Sequence, residues 1–134
     1  MAIMRNHYVG RTFIEPTQKI RNLKVKMKLS PISEVVKGKK IIVIDDSIVR
    51  GTTSRQIIRM LKEAGAKEVH MRISSPPTTH PCYYGVDTPD QNQLIASNYT
   101  ISEIANFIEA DSLAYLSNDG LLNSVGRDLN YCKT

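Results

Sequence analysis

The sequence predicts an α/β fold, and three consecutive elements near its centre carry that prediction. Residues 40–44 read Lys-Ile-Ile-Val-Ile, a short β-branched run that is typical of a strand buried on both faces. Residues 53–64 place apolar side chains on one face at helical spacing, and Gly65 is a helix stop signal. A second apolar strand follows at 68–74. A strand, a helix and a strand in this order predict a right-handed crossover with parallel pairing.

The flanking segments carry weaker patterns. Residues 8–30 mix apolar and polar side chains without clean periodicity, which predicts short extended pieces and a mobile loop. A proline-rich stretch after the second strand predicts an extended, turn-rich connection. Ser102 is the predicted cap of a helix at 102–109, a short strand follows at 113–116, and a last helix runs from Asn118.

A polar loop follows the first predicted strand. Asp45 and Asp46 stand at the carboxyl end of this strand, where carboxylates can accept hydrogen bonds from sugar hydroxyls. Gly51 permits a tight turn, and three hydroxyl residues come where the next helix begins, so that exposed amides and the helix dipole converge on an anion. This order predicts a ribose 5-phosphate site formed by Asp45, Asp46, Ser47, Ile48, Val49, Arg50, Gly51, Thr52, Thr53 and Ser54.

Two other classes of protein also end a strand with two aspartates. A Walker B strand requires a partner loop of the form G-x-x-x-x-G-K-[ST], and the sequence contains none. A receiver domain would place the acidic pair after the first of five strands and has no need of Gly51 and the two threonines that follow it. A dinucleotide-binding fold is not supported either, because the sequence has no G-x-G-x-x-G.

The segment VIDDSIVRGTTS resembles the phosphoribosylpyrophosphate (PRPP) motif of type I phosphoribosyltransferases, and most specifically that of the amidophosphoribosyltransferase family. Upstream, RNHYVGRTFIEPTQKIRNLKVKMKLSP resembles that family's flexible catalytic loop. Downstream, ISSPPTTHPCYYGVDTP and QLIASNYTISEI resemble the rest of its transferase domain. The resemblance therefore extends through nearly the whole chain.

The resemblance implies a type I phosphoribosyltransferase-like parallel sheet flanked by helices, of which the chain would be a partial domain. It implies a flexible catalytic-loop region at 1–30, a PRPP-binding core at 38–74 and a C-terminal extension at 75–134. The family's glutaminase domain and first pyrophosphate-binding loop have no counterpart in the sequence. The chain is therefore expected to be a fragment that is inactive in isolation.

The family converts PRPP and glutamine-derived ammonia to 5-phosphoribosylamine and pyrophosphate, the first committed step of purine nucleotide synthesis. The resemblance implies that Asp45 and Asp46 hold the ribose hydroxyls and, directly or through them, Mg²⁺, while residues 47–54 bind the 5′-phosphate. Lys28 and Arg11 are the implied catalytic residues. Purine nucleotides are implied as feedback ligands, and the longer parent protein is expected to be a homo-oligomer.

The net charge of +5 is concentrated at the start of the chain, because residues 1–28 carry +6 and the remainder −1. Alone, such a stretch could be a solvated face or a nucleic-acid patch. Its place before a sugar-phosphate site favours a loop that neutralises the departing pyrophosphate. A PRPP-sensing regulatory protein that binds DNA stays as the alternative, although no helix-turn-helix signal supports it, and we expect no nucleic-acid partner.

Two cysteines are too few for a disulfide framework and suit a reducing compartment. No apolar run approaches the ~20 residues of a membrane span, and no signal peptide is recognisable, so we expect a cytoplasmic protein without a membrane partner. An iron-sulfur subset of the family has cysteines that match Cys82 and Cys132, which implies [4Fe-4S] ligands in the parent. The alternative is two idle thiols, since a cluster needs four thiolates.

Overall fold

Three parallel strands form the main sheet of the computed structural model, which describes residues 3–5 and 29–126. The elements in chain order are β1 (Ile3–Arg5), β2 (Leu29–Pro31), α1 (Ser33–Val36), β3 (Lys40–Asp45), α2 (Thr52–Glu63), β4 (Glu68–Ile73), a 3₁₀ turn (Gln91–Gln93), α3 (Ile95–Asn98), α4 (Ile101–Ile108), β5 (Ser112–Tyr115) and α5 (Asn118–Ser124).

Strand β4 is the middle strand of this sheet and pairs in parallel with β3 on one side and β5 on the other. Val43 lies opposite Met71, and Met71 lies opposite Leu113. Asp45 lies opposite Ile73, so β3 and β4 end at the same edge of the sheet. The predicted strand, helix, strand unit with parallel pairing is confirmed. Strands β1 and β2 form a separate antiparallel pair.

The hydrophobic core lies between one face of the sheet and helices α2 and α4. Val69 and Met71 of β4 are fully buried, and they belong to the same cluster as Ile58 of α2 and Ile104 of α4. Burying a side chain of this size stabilises the fold by about 1.5–3 kcal/mol. The apolar face predicted for residues 53–64 is therefore the face that α2 presents to the core.

The opposite face of the sheet differs from the sequence prediction. Strand β3 was expected to be buried on both faces, but Ile42 and Ile44 are 65% and 76% exposed. The prediction is wrong in this respect because α2 and α4 pack on the same face, so burial along β3 alternates from residue to residue. A continuous β-branched run alone does not reveal which face a helix will cover.

Helix α4 begins at a different residue from the one predicted. Thr100, not Ser102, is its N-cap: the Thr100 hydroxyl accepts from the Glu103 amide at 3.3 Å, and the Glu103 carboxylate accepts from the Thr100 amide at 2.7 Å. Ser102 lies inside the first turn of α4 and is already part of the helix. The reciprocal pair is a capping box, which satisfies two amides at once.

The described helices are all short, and none of them has the length and apolarity needed to cross a membrane.

Candidate functional site

The predicted site begins where β3 ends. Asp45 is half-buried, and burial is the main reason that the pKa of its carboxyl is raised; the Asp46 amide, which donates to Asp45 Oδ1 at 3.0 Å, lowers this pKa, and the charge of Asp46 raises it. A half-buried carboxylate is stabilised in its ionised form by further donors or by a cation. Asp45 therefore suits a ligand that presents hydroxyl groups.

Asp46 is exposed and shapes the turn that follows. Its Oδ1 accepts from the backbone amide of Ser47 at 2.6 Å and from the Ser47 hydroxyl at 3.2 Å. Across the sheet edge, Ser74 donates both its amide and its hydroxyl to the Asp45 carbonyl, at 3.0 Å and 3.1 Å. These contacts fix the backbone of the acidic pair and occupy one oxygen of the Asp46 carboxylate.

The loop is anchored by Ile48, which is 2% exposed, and ends at Gly51, which is also buried. Gly51 has φ +74°, in the left-handed region that favours glycine. A Cβ at this position would lie 3.0 Å from Ile95 Cδ1 and 3.1 Å from Phe107 Cε1. Glycine is therefore required here both by the backbone conformation and by the close packing beneath it.

Helix α2 starts immediately after this turn, and the positive end of its dipole has no side-chain cap. Gly51 supplies no side-chain cap, the first turn holds no acidic residue, and the first helical hydrogen bond runs from the Arg55 amide to the Gly51 carbonyl at 2.9 Å. The amides of residues 52–54 consequently have no intrahelical acceptor. Amides and helix dipole together favour an anion at this position.

Residues from a distant part of the chain also hold the loop, and the sequence did not predict these contacts. Arg50 donates from Nε and Nη2 to the Gln93 side-chain oxygen at 3.0 Å and 2.7 Å. The Ile95 amide donates to the Val49 carbonyl at 2.9 Å. Gln93 and Ile95 lie more than forty positions after the loop, and no local sequence signal connects the two segments.

Two arginines of α2 are committed to a different partner. Arg55 and Arg59 both bind the Glu109 carboxylate, with shortest distances of 2.8 Å and 2.5 Å. The hydrogen bonds from Arg59, and then those from Arg55, lower the pKa of Glu109 to about 2. Arg55 also lies over the Phe107 ring, 5.3 Å from its centre. Glu109 thus offsets one of these two positive charges within the fold, whereas the partner of Arg50 is a neutral amide.

The ten residues from Asp45 to Ser54 run from the last residue of β3 through the connecting loop into the first turn of α2. Arg11, Lys28 and Cys132 lie outside the described residues, and their predicted roles stay predictions. Cys82 is half-buried in the loop after β4, where its sulfur accepts from the Tyr84 amide at 3.4 Å. The chain's two cysteines are fewer than the four thiolates of a cluster, so an iron-sulfur site stays a prediction for a longer protein.

Within the described part of the chain, no group of three or more His, Cys, Asp or Glu side chains could hold a metal ion. The Asp45–Asp46 pair offers oxygen donors from two carboxylates. Mg²⁺ is commonly bound through one or two carboxylates together with water and substrate phosphates. The pair therefore fits a magnesium ion shared with a phosphorylated substrate, and it does not form a complete metal site by itself.

The chain is similar to proteins of known family. Residues 2–87 match the sequence model of the phosphoribosyl transferase domain. The chain is 61% identical over 130 residues to the amidophosphoribosyltransferase of Synechocystis, covering 97% of this chain and 26% of that protein. The corresponding Bacillus subtilis protein is 55% identical over 127 residues, which is 95% of this chain and 27% of that protein.

A solved structure is similar as well. It is the glutamine PRPP amidotransferase of Bacillus subtilis in complex with ADP and GMP, with a TM-score of 0.80 and 53% identity, covering 98% of this chain and 29% of that one. The chain thus spans about a quarter of the length of the curated relatives it matches.

Proposed function

The chain belongs to the phosphoribosyl transferase domain family, and on that premise we propose that it supplies the ribose-phosphate-binding part of an amidophosphoribosyltransferase. The proposed reaction converts PRPP and glutamine-derived ammonia to 5-phosphoribosylamine and pyrophosphate, the first committed step of purine nucleotide synthesis. One observation carries the proposal: two carboxylates at a strand end are followed by a Gly51 turn and an uncapped helix start.

The acidic pair would bind the ribose ring. Asp45 and Asp46 would accept hydrogen bonds from the 2′- and 3′-hydroxyls, since each carboxylate uses only Oδ1 for the neighbouring residues. Charge-assisted hydrogen bonds of this kind contribute ~1.5–3 kcal/mol each. Two of them would fix the orientation of the sugar and so of its C1 atom.

The 5′-phosphate would bind at the start of α2. The amides of Thr52, Thr53 and Ser54 have no intrahelical acceptor, and no side-chain cap competes with phosphate oxygens for them. With both ends of the ribose phosphate held, C1 is presented in one orientation. Positioning of this kind accounts for much of the rate in reactions that need no strong base.

The pyrophosphate would leave from C1 as charge develops on the ribose ring. Asp45 and Asp46 would hold Mg²⁺, which would supply neutralisation of the leaving group's negative charge. Lys28 and Arg11 are proposed to contact the pyrophosphate. The excess of basic residues in 1–28 supports this proposal. Ammonia carries its own lone pair, so the chain provides orientation and electrostatic stabilisation and no general base.

The same proposal extends to partners and compartment. The similar Bacillus subtilis structure holds ADP and GMP, which supports purine nucleotides as feedback ligands, and a homo-oligomer is proposed for the complete enzyme. We place the enzyme in the cytoplasm of its cell on the basis of its two thiols and its bacterial relatives; plant relatives carry the description chloroplastic.

Calorimetric titration of Mg-PRPP into a full-length enzyme containing this sequence tests the proposal. The double substitution Asp45→Asn with Asp46→Asn should weaken binding strongly, because neutral amides replace two charged acceptors worth ~1.5–3 kcal/mol each. Asp87→Asn is the matched control, since Asp87 is an exposed carboxylate in the loop after β4. Unchanged affinity in the double variant would refute the assignment of the diol site.

A further inference from the structure

The phosphate turn is braced by a segment that follows the region matched by the family model. Residues 91–107 contact three consecutive positions of the turn: Gln93 binds Arg50, the Ile95 amide binds the Val49 carbonyl, and Ile95 and Phe107 pack against Gly51. The family match ends at residue 87. A part of the chain outside that match therefore determines the shape of the turn.

The contact between Gln93 and Arg50 is specific in geometry. Nε and Nη2 lie on one edge of the guanidinium and both donate to the same amide oxygen, at 3.0 Å and 2.7 Å. This shared acceptor fixes the plane of the guanidinium one residue before Gly51. Because Arg50 offers only donors on this edge, the Gln93 side chain must present its oxygen.

The contact is also specific in charge. Gln93 is neutral, so it holds the side chain of Arg50, the residue before Gly51, without cancelling its positive charge. Arg55 and Arg59 provide the contrast, because both bind the Glu109 carboxylate, whose single negative charge offsets one of their two positive charges. A carboxylate at position 93 would hold Arg50 equally well and would compensate its charge.

We propose that Gln93 is a positioning residue for the ribose-phosphate site: it fixes Arg50 and the 49–51 turn while leaving the charge of Arg50 available to a phosphate. The bracing of the turn depends only on the contacts above. The consequence for ligand binding rests on the proposed function, so the two are tested separately.

Amide hydrogen exchange of the 134-residue chain without ligand tests the brace. The reporters are the Ile95 amide, which binds the Val49 carbonyl, and the Arg55 amide, which binds the Gly51 carbonyl. Gln93→Ala removes both hydrogen bonds that Arg50 donates to the Gln93 oxygen and should speed the exchange of the reporter amides by about tenfold. Gln91→Ala, in the same 3₁₀ turn, should leave both rates unchanged. Equal rates in Gln93→Ala and the unsubstituted chain would overturn the brace.

Titration with ribose 5-phosphate, with ribose as the reference lacking a phosphate, tests the charge. Gln93→Glu should keep the slow exchange of the reporter amides and yet bind ribose 5-phosphate about tenfold more weakly. A purely structural role for Gln93 predicts unchanged affinity in this variant, and that result would overturn the proposal. If the unsubstituted chain did not distinguish ribose 5-phosphate from ribose, the proposed function would fail, while the exchange rates would still decide whether Gln93 braces the turn.

Discussion

Helices α2 and α4 pack against the same face of the sheet, and their first turns are built in opposite ways. Helix α4 starts with Thr100 and Glu103, whose reciprocal hydrogen bonds satisfy two amides. Helix α2 starts with Gly51, which has φ +74°, supplies no side-chain cap and is followed by no acidic residue in the first turn. Within the part of the chain that the structure describes, the closed start stabilises its own helix and the open start leaves amides for a ligand.

This difference assigns different tasks to similar residues. The Thr100 hydroxyl accepts a hydrogen bond from a backbone amide of its own helix. Thr52 and Thr53 follow the Gly51 turn, where a phosphate would accept from the backbone amides in place of a side-chain cap. Local packing stabilises the uncapped start of α2, since Ile95 and Phe107 lie directly against Gly51. The comparison predicts that substitutions at the open start will affect ligand binding as well as stability, whereas substitutions at the closed start will affect stability alone.

The largest effect is expected at the open start, for Gly51→Ala. The left-handed conformation costs a non-glycine residue ~1–2 kcal/mol, and forcing a Cβ against Ile95 and Phe107 costs a further ~1–3 kcal/mol. Gly38→Ala is the matched control, because Gly38 has φ +72° and nothing within 4 Å of the added Cβ. Urea unfolding of both variants separates conformation from packing. Equal losses would show that Ile95 and Phe107 do not constrain the turn.

A smaller effect is expected at the closed start, for Thr100→Ala. Loss of the N-cap should lower the free energy of unfolding by ~1 kcal/mol and leave ribose 5-phosphate affinity unchanged. Ser102→Ala is the control within the same turn, and it should be nearly neutral because Ser102 is not the cap. The two variants are compared by urea unfolding and by titration. A loss of ligand affinity in Thr100→Ala would contradict the separation of the two helix starts.

The smallest effect concerns the contact that joins the two helices. The pKa of Glu109 is lowered from 4.5 to about 2 by Arg59 and Arg55, so its contribution to stability is present above pH 4.5 and is lost as the pH falls towards about 2. The difference in urea midpoint between the unsubstituted chain and Glu109→Gln should therefore shrink over this interval. A difference that does not vary with pH would show that the ion pairs contribute nothing in solution.

Sequence reasoning predicted the elements whose signals are local. The β-branched run, the acidic pair and Gly51 lie within a dozen residues, and α2, β4 and β5 were predicted to within one or two residues of their observed bounds. The capping box at Thr100 and Glu103 was also readable from the sequence, since a threonine followed three residues later by a glutamate is its signature. Ser102 lacks this signature, because the residue three positions after it is Ala105.

The remaining features depend on tertiary contacts. The exposure of Ile42 and Ile44 follows from both helices lying on one face, and the alternation of a strand's burial cannot be read from a uniformly apolar run. Gln93 and Phe107 reach the turn only after the chain has passed through β4 and the long connection behind it. Their roles depend on the fold and carry no local signature.

The most direct test of the open start is a titration of the isotopically labelled 134-residue chain with ribose 5-phosphate, followed through backbone amide resonances. The account predicts saturable shifts at Thr52, Thr53 and Ser54 and none at Thr100 or Glu103, because α2 has no side-chain cap whereas α4 pairs the amides of Thr100 and Glu103 with each other's side chains. Ribose alone should leave the resonances of α2 unchanged. Shifts of equal size at both helix starts, or none at α2, would contradict the claim that the Gly51 turn is a phosphate site.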